Sequence, residues 1–389
     1  MKLPIYMDHN ATTPVDPGVV EAMLPCFLEN FGNAASKTHP YGWIASKLAE
    51  NARAAVAAGI GAHPEEVVFT SGATESNNLA IKGLVAALGG RRGHVVTCAT
   101  EHKAVLDPCA ALAREGVAVT VLPVDGAGRI ELQAVAEALT DRTALVSLML
   151  ANNETGTLHP IAEVGRICRE RGVALHCDAT QAVGKVAVDA DKLGVDLMSL
   201  SAHKIYGPKG VGALYVRRRK PRLHLTPILD GGGHEQGMRS GTLNVPGVVG
   251  FARALEIALA RMPAESRLLS ELRDRLQEAI TSRLEEVTVN GDPEHRLPNT
   301  LNLSFAGVDG AALLVGLKEV AVASGSACTS ADPKPSHVLM AMGRSKQLAN
   351  ASIRFSLGRA NSADDLDVVA AAVIREVERL RANSPLWRR

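Results

Sequence analysis

No C-x-x-C pair occurs among the six cysteines of this 389-residue chain, which stand at positions 26, 98, 109, 168, 177 and 328. That spacing excludes the common zinc-knuckle and thioredoxin-like arrangements and offers no disulfide frame. Aromatic residues are scarce, with six Phe, four Tyr and two Trp. The shortage argues against a base-stacking platform for single-stranded nucleic acid and against an aromatic belt at a membrane interface. No apolar run approaches the roughly 20 residues that span a bilayer. Asp8 interrupts the amino terminus before any such run begins, unlike a signal or transit peptide. Excess charge is missing as well. The 42 Lys and Arg against 41 Asp and Glu leave +1, so direct contact with nucleic acid or an acidic membrane is not expected, because such binding rests on many cationic contacts to phosphate. The composition predicts a soluble, cytoplasmic protein whose thiols are reduced.

What is present is length and alternation. A chain of this size buries about three quarters of its unfolded surface and divides into two or three domains. From residue 64 to 216, short β-branched runs alternate with helical patterns. Strands are expected at Glu66–Thr70, His94–Cys98, Val117–Val121, Ala144–Met149, Ala174–Cys177, Leu197–Ser201 and Ala213–Val216, with helices at Thr74–Leu88, Lys103–Arg114, Leu132–Leu139 and Ile161–Arg171 between most of them. This order predicts an α/β domain, a mostly parallel seven-stranded sheet covered by helices on both faces. After Gly247 a long helical stretch follows, kinked at Pro263. Strands near Thr300–Phe305, Ala321–Ala323 and Ile353–Ser356 and a closing helix from Ala363 then predict a smaller α+β domain. The expected division is 15–257 for the large domain, and 1–14 with 258–389 for the small one.

In open α/β sheets, ligands gather beyond the carboxyl ends of the strands. Here those positions hold Ser71–Thr74, then Glu101 and His102, Asn152–Glu154, Asp178 and Gln181, and His203 with Lys204. The Ser71–Thr74 turn opens a helix, which suits an anion; read by itself it is equally a Ser/Thr cap with Glu75 in the first turn. Each remaining group, taken alone, is an ordinary surface or cap residue, but five consecutive strand ends delivering polar groups to one edge call for a ligand. A metal on His102, His176, Asp178 and His203 is one possibility. The other is pyridoxal phosphate, which needs a Schiff-base lysine, a carboxylate at the ring nitrogen and a phosphate seat. Lys204 would put a cation among metal ligands, whereas the cofactor uses every member of the set.

Ser201–Gly210 (SAHKIYGPKG), with Thr70–Asn77 (TSGATESN) upstream, resembles the pyridoxal-phosphate cysteine desulfurases of the class V aminotransferase group, and Ser324–Ser330 (SGSACTS) is similar to the cysteine loop of the NifS/IscS-like branch. Further matches at Asp8–Pro14, Thr100–Lys103, Asn152–Gly156, Asp178–Gly184, Gly231–Asn244 and Ile353–Arg359 extend the resemblance over nearly the whole chain. It implies a pyridoxal-phosphate fold-type I protein in which Lys204 forms the Schiff base and Asp178 faces the pyridine nitrogen. Gln181 would bond the ring hydroxyl with Asn153 nearby, and His102 would stack on the ring as a proton shuttle. Ala73, Thr74, Ser201 and His203 would hold the phosphate, joined by Thr242 from a second protomer of a homodimer with shared active sites. Arg354, ranked ahead of Arg359, would clamp the substrate carboxylate.

The implied reaction converts L-cysteine to L-alanine. Lys204 or His102 moves the Cα proton, and the Cys328 thiolate takes the substrate sulfur as a persulfide for an acceptor protein of iron–sulfur assembly, tRNA thiolation or DNA phosphorothioation. The small and polar neighbours of Cys328, followed by Pro333 and Pro335, predict an exposed, mobile loop over 324–335. The other five cysteines read as packing residues. Two departures stand out: Glu235-Gln236 replaces the family's frequent Glu-Arg, and the carboxyl end stops where related chains carry a scaffold-docking tail. The rival readings are a selenocysteine lyase or another lyase of carbon–sulfur bonds with the same cofactor, a metal-dependent hydrolase, and a non-catalytic sulfur-relay protein.

Overall fold

A computed structural model of the chain describes residues 4–89, 93–219, 222–324 and 335–387. It opens on a two-residue strand, β1 (Ile5–Tyr6), followed by helices Pro17–Met23 and Pro40–Gly59. An alternating run then builds β2 (Val67–Thr70), helix Ala73–Ala87, β3 (His94–Cys98), helix Lys103–Arg114, β4 (Ala118–Leu122), helix Leu132–Ala138, β5 (Thr143–Met149), helix Ile161–Glu170, β6 (Ala174–Asp178), β7 (Leu197–Ser201) and β8 (Gly212–Val216). Each lies within one residue of its expected bounds.

These seven strands, β2 to β8, form one sheet in the order β2-β8-β7-β6-β5-β3-β4. Pairing is parallel from β4 to β7, and β8 runs antiparallel to both of its neighbours. Every residue of β3, β5, β7 and β8 is buried, as helices on both faces require, while edge strand β4 keeps exposed positions. The alternation of β-branched runs with helices therefore reports the sheet faithfully.

Helix Val245–Thr281 runs on from this unit. Beyond it, β9 (Val287–Asn290), β10 (Thr300–Phe305) and β12 (Ser352–Ser356) make an antiparallel sheet in the order β12-β10-β9, and β11 (Val320–Ala321) pairs in parallel with β1. Helix Ala363–Ala382 closes this second layer, starting on a capping box of Ser362 and Asp365. The long helix is assigned without interruption through Pro263. Its buried residues from Val245 to Ala258 pack mainly in the core around β5 to β8, and those from Leu269 to Ile280 pack with β10 and β12. The proline thus occupies the exposed stretch between two hydrophobic cores, where a lost main-chain bond faces water.

The short strands β1 and β9 and the helix Pro40–Gly59 lie outside the expected elements. β9 is only partly buried, so its apolar residues alternate too weakly to announce a strand.

Candidate active site

The strand ends meet at one cavity of about 550 Å³. Residues Ser71–Thr74, His102, Asn153, Asp178, Gln181, Ser201, His203, Lys204 and Arg354 line it, together with Asn10–Thr12 from the amino-terminal segment. The site residues implied by the resemblance are therefore brought together with two exceptions, while Glu101, Asn152 and Glu154 of the strand-end set are buried away from the cavity lining. Thr242 is exposed and does not line the cavity, and Cys328 falls outside the described residues.

Lys204 ends a short turn, Ala202–Lys204, directly after β7. Its Nζ donates to the main-chain carbonyls of Asn10 at 2.5 Å and Ala11 at 2.7 Å. Asp178 is the last residue of β6, and its carboxylate is held on both oxygens: Asn77 Nδ2 donates to Oδ2 at 2.8 Å, and the Thr180 amide donates to Oδ1 at 3.0 Å. Asn77 is wholly buried in helix Ala73–Ala87. A carboxylate so oriented suits a pyridinium nitrogen. Asn77 and Asn10 are functional positions that sequence reasoning left without a role. Asn77 stands within the quoted Thr70–Asn77 motif, whereas the lysine's acceptors at Asn10 and Ala11 are peptide carbonyls, which no residue pattern announces.

At the other end of the cavity, helix Ala73–Ala87 starts at Gly72 with φ 150° and no side-chain cap bond. The Ser/Thr-cap alternative is thereby set aside. Glu75 instead accepts from the Ser71 amide at 2.7 Å and pairs with Arg239 at 2.9 Å. First-turn amides without a side-chain cap, with Thr74, Ser201 and His203 around them, make a phosphate seat. A Cβ on Gly212 of β8 would lie 2.7 Å from Gly72 Cα, so the turn is seated against bare backbone. Lys204, Asp178 and this anion seat within one cavity fit pyridoxal phosphate.

His102 caps the amino end of helix Lys103–Arg114, its Nδ1 accepting from the Ala104 amide at 3.0 Å. Burial pushes its pKa below the ordinary imidazole value and Lys204 adds to this, against the pull of Asp178. The ring is neutral near pH 7 and its other nitrogen is the one left for proton transfer. Burial also lowers His203 to about 4, with Lys204 and Lys209 contributing. Its Nδ1 lies 3.2 Å from Thr12 Oγ1.

Arg354, from β12, reaches across from the second core. Its Nη1 donates to the Asn153 carbonyl at 2.9 Å and its Nη2 to Asp8 at 2.6 Å, while Nε is buried with no partner among the described residues. Arg359 goes elsewhere: it pairs with Asp16 at 3.0 Å and Glu265 at 2.8 Å and lies over the Tyr206 ring at 3.9 Å.

His176, the fourth ligand of the metal alternative, has one ring nitrogen 2.8 Å from Ser147 Oγ and the other 2.9 Å from Ser199 Oγ, in full burial. Both are thus occupied. No group of three or more His, Cys, Asp or Glu among the described residues is placed to hold a metal ion. Cys26, Cys98, Cys109, Cys168 and Cys177 are all buried, and burial raises the thiols of Cys98, Cys109 and Cys168 to about 12. They are inert packing residues. Glu235, one half of the Glu-Gln departure, is a structural carboxylate that accepts from Arg53 at 2.7 and 2.8 Å and from the Phe69 amide at 2.7 Å.

Among the described residues no helix is long and apolar enough to cross a membrane. The family model described as Aminotransferase class-V matches residues 5–369. A protein named cysteine desulfurase IscS from Anaeromyxobacter sp. (strain Fw109-5) is 56% identical over 387 residues, covering 100% of this chain and 96% of its own. One of the same name from Rickettsia bellii (strain OSU 85-389) is 50% identical, with 99% and 94% covered. A solved structure titled NifS-like protein superposes with a TM-score of 0.90 at 37% identity, over 97% of this chain and 100% of that one.

Proposed function

We infer that this chain, which belongs to the class-V aminotransferase family, is a pyridoxal-phosphate-dependent cysteine desulfurase, with a persulfide on Cys328 as the form in which sulfur leaves. The observation that carries this reading is the meeting, in one cavity, of Lys204, an oriented Asp178 carboxylate, an anion seat and a buried guanidinium. When bound, the cofactor supplies an electron sink for the carbanion at the substrate Cα.

The chain's own residues supply the rest. Arg354 receives the α-carboxylate of L-cysteine, for which its planar fork is suited. Lys204 would hold the cofactor through Nζ and, as a free amine within the cavity, would accept the Cα proton. His102, neutral at this depth, is the second proton carrier. Asp178 would hold the ring nitrogen of the cofactor, its carboxylate oriented by Asn77. Cys328, as thiolate, bonds to the substrate sulfur as the carbon–sulfur bond breaks; the carbon keeps the electron pair and is protonated to give alanine.

On the same reading the protein is a cytoplasmic homodimer. Phe27, Leu28, Phe31 and Trp43 are 56%, 68%, 64% and 56% exposed, an apolar surface that a second copy would cover. Thr242, exposed and outside the cavity, is the residue we assign to the partner's phosphate seat. The sulfur acceptor is a protein of iron–sulfur assembly, tRNA thiolation or DNA phosphorothioation. The chain divides at 15–257 against 1–14 with 258–389; the two largest hydrophobic clusters, which part along the long helix, support this boundary.

The test is a visible spectrum of the purified protein with assays of sulfide and alanine from L-cysteine, for wild type, Lys204→Ala and Cys328→Ser. A cofactor band, lost or shifted in Lys204→Ala, and turnover abolished in both variants are expected. A colourless wild type, or full turnover in Cys328→Ser, would overturn the reading.

A further inference from the structure

A second lysine, Lys185, stands behind the cavity four residues after Gln181. Its Nζ donates to Gln181 Oε1 at 2.9 Å and to Asn10 Oδ1 at 3.4 Å. From the long helix, Ser266 Oγ donates to the Lys185 carbonyl at 2.7 Å and fixes its backbone. Part of the residue's surface is exposed, but Nζ lies within packed protein. Burial, with repulsion from Lys204 and Arg354, pulls its pKa down to about 7. The other charged or titratable groups facing it are His9, Tyr206, Glu265 and Arg359, which share a small cavity with it, and His203, which feels its charge. Glu265 is already engaged by Arg359. The acceptors of Lys185 are therefore two amide oxygens.

A side-chain amide accepts only at oxygen and donates only at nitrogen. With Oε1 of Gln181 accepting from Lys185 Nζ, Nε2 lies toward the Asn10 carbonyl, which it meets at 2.8 Å. That carbonyl also receives Lys204. Turning the amide over would set its oxygen against the Asn10 carbonyl and take the acceptor away from Lys185 Nζ, losing two bonds. Nε2 carries a second hydrogen, and Gln181 lines the cofactor cavity. We propose that Lys185 is a positioning residue that locks the Gln181 amide with its nitrogen toward the cavity, so that the cofactor's phenolic oxygen meets a donor and never an acceptor. This rests on the pyridoxal-phosphate reading above.

Without Lys185 only the Asn10 carbonyl orients the amide, and the turned-over form gains population. Loss of a donor on the phenolic oxygen raises the proton affinity of the neighbouring nitrogen that joins Lys204 to the cofactor. The experiment follows the visible band of the full-length holoprotein between roughly pH 6 and pH 10, and cofactor affinity by reconstitution with pyridoxal phosphate. The variants are Lys185→Met, Lys185→Arg, Gln181→Ala and the double variant. Lys185→Met should move the midpoint up by about one pH unit and weaken affinity about tenfold, the worth of one good hydrogen bond. Lys185→Arg should stay near wild type. In the Gln181→Ala background, Lys185→Met should add nothing.

An unmoved midpoint, or the full shift persisting in the Gln181→Ala background, overturns the inference and leaves the cofactor reading standing. A wild type with no visible band overturns both. Should far-ultraviolet circular dichroism show Lys185→Met unfolded, Lys185→Gln is scored for the same midpoint.

Discussion

Arg354 and Arg359 stand five residues apart, and only their surroundings distinguish them. Arg359 is consumed by Asp16, Glu265 and the face of Tyr206. Arg354 opens on the cavity and holds a buried Nε in reserve. Arg354→Lys keeps the charge but loses the fork, so KM for L-cysteine should rise by about 10- to 100-fold with a smaller change in kcat. Arg359→Lys should leave KM alone. Steady-state kinetics of alanine formation checks both. His159 makes a different case. Its ring is buried, neither nitrogen has a partner among the described residues, and burial lowers its pKa to about 4. The unfolded chain takes up this proton near pH 6.5 and the folded one does not, so stability is lost as pH falls from about 6.5 toward 4. His159→Gln removes that loss. Urea unfolding at pH 7 and pH 5 should show the variant gaining about 2 kcal/mol over wild type between the two.

At the scale of the element, the phosphate seat depends on β8 as much as on its own helix. A side chain at Gly212 would run into the Leu200 carbonyl and the Gly72 backbone, so Gly212→Ala must push strand and turn apart. We expect a lower melting temperature, with a loss of about 1–3 kcal/mol, together with faster release of pyridoxal phosphate on dialysis; retention at the wild-type rate would contradict the seat. This scale also shows what the sequence could disclose. Lys204, Asp178 and His102 were legible because each follows a strongly apolar strand, so chain order alone delivers them to one edge. The Ser71–Thr74 turn was legible as an anion seat only jointly with them. The Asn10 and Ala11 carbonyls were not legible, since a peptide group is the same at every residue. The Asn77 clasp on Asp178 links positions 101 residues apart and has no local signature.

Among the described residues, the two largest hydrophobic cores lie along one helix, and residues carried by both line the cavity. Arg354 belongs to a strand of the second core and Lys204 follows a strand of the first, so the catalytic groups are aligned only while both cores hold their places. In the proposed homodimer, the exposed apolar residues near the amino terminus face a second copy. Phe31→Glu should weaken the dimer about tenfold or more, seen as a monomer fraction in sedimentation. Turnover should fall with it, because Thr242 would no longer reach its assigned site.

Peptide carbonyls, which hold Lys204 Nζ, cannot be mutated away. Any residue at positions 10 and 11 still presents the same two oxygens, so the lysine's berth depends on the route the backbone takes, which the buried Asn10 side chain helps to fix through Thr300 and Asn299. That route is stitched to β12 by the Asn10 amide on Ser356 Oγ at 2.9 Å and the His9 amide on the Ser356 carbonyl at 3.1 Å. A library at residue 11 would overlook its carbonyl, whereas replacing a single peptide bond with an ester, or trimming the chain through residue 9, would expose it.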